Sequence, residues 1–172
     1  MHNQQVDSEF APKIQQRMNI RLEQMMPLIR ERLAAGETVR FTTRGVSMRP
    51  LLRNGKDQVL LAPLPEKLKK YDLPLYQRPD GSFILHRIIR AGETFTCIGD
   101  SQYAYEKGVR PEWMIGLAIG VYRKGKFISV DSLGYKVYAR FRHWTRPVRY
   151  LGFLLGRVWR AIMRRIKGKK GV

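Results

Sequence analysis

Apolar residues recur at helical spacing between residues 12 and 35: Ile14, Met18, Leu22, Met25 or Met26, Ile29 and Leu33, separated by Lys13, Arg17, Arg21, Glu23, Arg30 and Glu31. This period predicts a helix over 12–35 that packs on a core by its apolar stripe. Pro27 lies inside the pattern and is the point where it can divide in two. Gly36 supplies the stop. From Thr38 the period shortens to two. Val39, Phe41 and Thr43 alternate with Arg40, Thr42 and Arg44, as in a half-buried strand. Short apolar runs follow at Gln58–Ala62, Leu73–Gln77, Ser82–Arg90, Thr94–Ile98, Met114–Arg123 and Lys126–Val130. Between them stand Asn54-Gly55, Arg78-Pro79-Asp80-Gly81, Ala91-Gly92-Glu93 and Lys124-Gly125, all turn formers. Close-spaced strands with Gly and Pro turns predict a mainly β fold, a compact antiparallel domain.

After Asp131 the pattern changes again. Leu151, Leu154, Leu155, Val158, Trp159, Ile162 and Ile166 lie at i, i+3, i+4 and i+7 steps, with Arg149, Arg157, Arg160 and Arg164 largely opposite. That is a basic amphipathic helix. The chain thus divides into an N-terminal helical segment (1–36), a β domain (37–134) and a basic amphipathic tail (135–172).

Charge sharpens this division. The formal net charge is +19, and residues 135–172 hold 12 Lys and Arg and no acid. The tail is a separate basic element with its own partner to find. At 172 residues with 44% hydrophobic content the chain is large enough for a core. The single cysteine, Cys97, excludes an internal disulfide framework and a Cys-rich zinc site, and its strand neighbours predict a buried residue. No cofactor or metal is implied. The polar start lacks an apolar signal-like region, and no apolar run approaches the roughly 18 residues that cross a bilayer. The expectation is a cytoplasmic protein, soluble or peripheral on the inner membrane face.

Candidate chemistry centres on Arg44-Gly45-Val46-Ser47-Met48-Arg49-Pro50, a lone serine in a turn between two strands. A serine hydroxyl is a poor nucleophile until a base within hydrogen-bond reach takes its proton. Histidine, with an unperturbed pKa of ~6.5, suits that task. It works best when a carboxylate fixes its tautomer. Of three histidines, His2 is in the polar start and His143 in the tail, leaving His86 in the strand region. A lone strand histidine can equally be structural. Asp57 and Asp72 read as turn or strand-end residues.

Gly45-Val46-Ser47-Met48-Arg49-Pro50-Leu51, Gly55, Asp57-Gln58-Val59, Leu85-His86-Arg87-Ile88 and Gly99-Asp100 together resemble the LexA repressor and type I signal peptidase superfamily. The likeness covers roughly residues 39–130. In that superfamily a Ser-Met-x-Pro loop supplies the nucleophile, a strand about forty residues on supplies the base, and a Gly-Asp box follows; here His86 is 39 residues after Ser47. The resemblance implies a signal-peptidase/LexA-like β domain and a serine endopeptidase of the histidine branch, acting on an extended peptide or protein segment. It implies Ser47 as nucleophile, His86 as base and then acid, and Asp100 as orienting carboxylate. Glu106, six residues later, is either a second acid of the site or a surface residue. Gly45, Ser47 and Met48 form the oxyanion loop. Some signal peptidases have a hydroxyl two residues before the nucleophile, where this chain has Gly45; losing one such donor costs about 10²–10³ in rate, so a slow enzyme is expected. Neither the membrane-spanning helix of signal peptidases nor the DNA-binding domain of repressors is expected.

The tail supports more than one reading. It can lie on an anionic membrane through Arg149, Arg157, Arg160 and Arg164, or pack its stripe on the β domain with the arginines solvated. A catalytically weak member of the fold that binds nucleic acid or membrane is the alternative function, since Trp144, Tyr150 and Trp159 stand among arginines. Those aromatics follow an apolar stripe rather than a stacking platform, which disfavours nucleic acid. Self-cleavage at Ala35-Gly36 is disfavoured because that bond lies only 11 residues before Ser47.

Overall fold

A computed structural model describes residues 22–168. The predicted positions Ile14 and Met18 lie outside the described residues. Helix α1 spans 22–34 without a break at Pro27, so the helix is not divided there. It ends as its sequence dictates. Gly36 adopts φ +81°, the Gly36 N–H donates to Leu33 O at 3.1 Å, and the Glu37 N–H donates to Arg32 O at 2.9 Å, which satisfies two otherwise orphaned helix carbonyls.

Among the described residues nine strands follow: β1 (Val39–Thr42), β2 (Gln58–Ala62), β3 (Pro74–Gln77), β4 (Phe83–Leu85), β5 (Arg87–Arg90), β6 (Phe95–Ile98), β7 (Glu106–Val109), β8 (Met114–Arg123) and β9 (Lys126–Ser129). A 3-10 turn at Pro111–Trp113 leads into β8. All pairings are antiparallel. The larger sheet runs β1-β2-β8-β3-β4, with β9 also on β8; the smaller is β5-β6-β7. Strand β8 is long because it serves three partners, pairing β3 near its start, β9 near its end and β2 along most of its length.

One expected strand becomes two. Residues 82–90 divide at His86, so that β4 pairs with β3 in the larger sheet and β5 with β6 in the smaller. Strand β7 has no apolar alternation in Glu-Lys-Gly-Val and is absent from the sequence-based expectation. The tail is two helices rather than one: α2 (Leu133–Trp144), capped by the Ser132 side chain accepting from the Tyr135 N–H, and α3 (Arg146–Gly168). No described helix is long and apolar enough to cross a membrane.

The larger sheet curls into a half-barrel. Met26, Ile29 and Leu33 of α1 pack with Phe41, Val59, Leu61, Leu75, Ile115, Ala118 and Val121 in the main core, which Tyr135 and Ala139 of α2 join. A second core gathers Tyr76, Ile88, Phe95, Cys97, Val109 and Met114 around the smaller sheet. Cys97 is fully buried, and burial pushes its thiol up to about 12. It is a packing residue.

Candidate active site

Strand β1 delivers the chain into the serine loop, and the residues after the loop hold it. The Thr43 N–H donates to Asp57 O at 3.0 Å, and the Gly55 N–H donates to Thr43 O at 2.9 Å. Asp57 is buried and accepts from the Arg53 N–H at 2.8 Å and from the Arg53 guanidinium at 2.6 Å. Hydrogen bonding to Arg53 outweighs burial and holds the Asp57 carboxyl below its ordinary range. Asp57 is thus the anchor of the loop's return rather than a reacting group. Gly45 takes φ +107°, a conformation that L side chains rarely adopt, and its N–H donates to Asn54 Oδ1 at 2.9 Å.

Ser47 is half-buried, at the end of that turn, with Met48 buried behind it. Its carbonyl is clasped from the Gly99-Asp100-Ser101 run. The Ser101 N–H and Oγ–H reach Ser47 O at 2.8 and 3.0 Å, and Ser101 Oγ also reaches Val46 O at 2.7 Å. A Cβ on Gly99 would stand 2.6 Å from Ser47 O and 2.9 Å from Ser47 Cβ, so only glycine lets the two loops meet. Gly99 permits the approach, and Ser101 makes the hydrogen bonds to the serine loop.

Asp100 does not orient His86. Its carboxylate is taken by Arg87, from Nε to Oδ1 and from Nη2 to Oδ2, both at 2.9 Å, and by the Tyr138 hydroxyl at 2.9 Å. Arg87 is 1% exposed and also donates to Tyr71 O and the Tyr135 hydroxyl. The Asp100 carbonyl accepts from Arg142 and Arg149. Alternation along the chain explains the difference. His86 and Arg87 point to opposite sides of the strand break, and Asp100 lies on the arginine's side.

Glu106 is the carboxylate beside His86. Its Oε2 is 3.5 Å from His86 Nδ1. It accepts from the Tyr76 hydroxyl at 2.6 Å and from Arg78 Nε and Nη2, both at 2.6 Å. Burial alone would raise its pKa, but the hydrogen bonds from Arg78, His86 and Tyr76 prevail and keep it ionised well below the usual range. Burial raises the Tyr76 hydroxyl, which therefore remains a proton donor to Glu106. The His86 ring is buried, 3.4 Å by Nδ1 from the Tyr76 hydroxyl. Tyr76 and Arg78 carry no motif, and nothing in their sequence setting marks them as partners of the site.

Ser47 and His86 line one cleft of about 660 Å³. Its walls are the two edges of the curled sheet: Arg40, Phe41 and Thr42 of β1 on one side, Phe83, Ile84 and Leu85 of β4 on the other. Among the described residues each of these strands has one partner in the sheet, which leaves its other edge unpaired there. Leu22 and Met25 of α1 and the exposed Val46 add apolar surface. With Nδ1 turned to Glu106, the ring nitrogen left for a hydroxyl is Nε2. No family model matches this chain, and no curated protein matches it.

Proposed function

We propose that the protein is a serine endopeptidase with a signal-peptidase/LexA-like β domain, in which Ser47 is the nucleophile, His86 the general base and Glu106 the orienting carboxylate. The observation that carries this reading is that Ser47 and His86 line one cleft between β1 and β4, strand edges that are unpaired among the described residues, with the Glu106 carboxylate 3.5 Å from Nδ1 of the imidazole. An extended peptide would add to the edge of β1 or β4 by main-chain hydrogen bonds, with its side chains meeting Phe41, Phe83, Leu85 and Met25.

In this reading His86 Nε2 takes the Ser47 hydroxyl proton as Oγ attacks the scissile carbonyl. The imidazolium, held by Glu106, then delivers that proton to the leaving amine. Water hydrolyses the acyl-enzyme by the same route in reverse. The Gly45 N–H is engaged by Asn54 and is withdrawn from the oxyanion role expected of it. The N–H groups of Ser47 and Met48 are the loop's remaining donors.

The test is labelling of the full chain with a fluorophosphonate probe. Ser47→Ala should abolish labelling, and His86→Ala should slow it by on the order of 10⁴-fold, both with an unchanged circular dichroism spectrum. Labelling of either variant at the wild-type rate overturns the assignment.

A further inference from the structure

Helix α3 sits against the body by the face that carries Arg146, Arg149, Tyr150 and Phe153. Tyr150 and Phe153 each pack on Tyr103 with ring centroids 5.3 Å apart. Arg149 turns inward to the carbonyls of Arg142, at 2.8 Å, and Asp100, at 3.4 Å. Arg146 is 6% exposed and lies 4.9 Å over the Tyr105 ring. The apolar stripe is left outside. Val148, Leu151, Leu155 and Trp159, at i, i+3, i+7 and i+11, are 57–73% exposed. Leu151, Leu155 and Trp159 of the expected stripe thus do not pack on the β domain, the side chains of Val158, Ile162 and Ile166 lie outside the described set, and Arg149 is engaged within the chain. Arg160 and Arg164 lie on α3, with side chains outside the described set.

Helix α2 repeats the arrangement. Tyr135 and Ala139 enter the core, whereas Leu133, Val137, Phe141 and Trp144 form an outer stripe 57–78% exposed. The two stripes meet at Trp144 and Val148, which straddle the junction four residues apart. Single exposed apolar residues are ordinary. Eight at helical spacing on consecutive helices mark a surface that is covered in use.

Charge selects what covers it. Arg140 and Arg157 are exposed on the helices that carry the stripes, Lys136 is exposed but paired with Asp131 at 3.2 Å, and no acid follows Asp131 in the sequence. A second copy of the chain would bring the same positive charge to the contact. A nucleic acid would satisfy the arginines and leave the leucines in water. An anionic lipid surface satisfies both, burying the stripe at the acyl boundary and placing the cations among headgroups.

We propose that α2 and α3 form an interfacial docking element for an anionic membrane, independent of the serine chemistry. Asp100 ties both helices to the β domain through Tyr138, Arg142 and Arg149, so docking of the helices carries the β domain with them.

Vesicle flotation of the full chain tests this. The protein should float with vesicles containing phosphatidylglycerol, remain behind with pure phosphatidylcholine, and be released by salt. Leu151→Ser and Leu155→Ser should each weaken binding on the order of tenfold. Arg140→Gln and Arg157→Gln should each weaken it about fivefold. All four positions are exposed, so the variants keep the fold, which circular dichroism verifies. Equal flotation with both lipids, undiminished binding by the leucine variants, or self-association or nucleic-acid binding in place of vesicle binding would each overturn the proposal.

Discussion

His86 Nδ1 stands 3.5 Å from Glu106 Oε2, and that carboxylate is itself gripped by Arg78 and Tyr76. The grip matters as much as the contact. A carboxylate held by a guanidinium and a phenol cannot rotate away from the ring, so the imidazole inherits a fixed orientation from three side chains on three strands or turns.

Glu106→Gln removes the charge while keeping an amide of the same shape. Labelling of Ser47 by a fluorophosphonate should fall by up to roughly 10⁴-fold, and the fold should survive. A Glu106→Gln protein that labels at the wild-type rate would remove Glu106 from the site.

Asp100→Asn should act on stability instead. It leaves the Arg87 guanidinium, 1% exposed, without its counter-ion. Breaking a buried pair from one side costs about 3–5 kcal/mol. Urea unfolding measures it, and a loss well below that of Glu106→Gln would contradict the division of labour between the two acids.

Gly99→Ala places a methyl 2.6 Å from Ser47 O, against backbone rather than a flexible chain end. One loop must move. Overpacking of this kind costs about 1–3 kcal/mol, and because the displaced loop carries Ser47, the proposed nucleophile, labelling should fall with it. Wild-type labelling together with wild-type stability would show that the two loops do not depend on each other.

Acid should destabilise the protein through Glu106 and Asp57. Both pKa values are lowered in the folded state, so their contribution is present above the ordinary carboxylate range and is lost as pH falls below it. The melting temperature should drop between about pH 5 and pH 3. Glu106→Gln, with no proton to gain there, should drop less. Parallel curves for the two proteins would exclude Glu106 from the effect.

Much of the architecture was legible along the chain because it is local. The Gln58–Ala62 and Met114–Arg123 strands match their apolar runs residue for residue, and Gly36 ends α1 by the backbone freedom that its position demands. Two elements were hidden by opposite causes. Strand β7 is recruited by pairing with β6 and has little side-chain pattern of its own. The strand around His86 reads as continuous, but its two halves belong to different sheets.

The candidate site divides in the same way. A turn-borne serine and a lone strand histidine, Ser47 and His86, are visible in the chain itself, whereas the Gly99-Asp100 pair was marked only by the family resemblance, and the close approach of Gly99 to Ser47 is seen only in the structure. Sequence also determined that the tail is amphipathic and basic. Which acid meets the histidine was decided only in three dimensions. Asp100 and Glu106 are six residues apart and equally acidic on paper; Asp100, in the turn after β6, meets Arg87, whereas Glu106, at the start of β7, meets His86. The direction in which α3 faces was likewise beyond periodicity. A helical pattern states which residues share a face, and only the packing of Tyr150, Phe153 and Arg149 on the β domain turns the leucines outward.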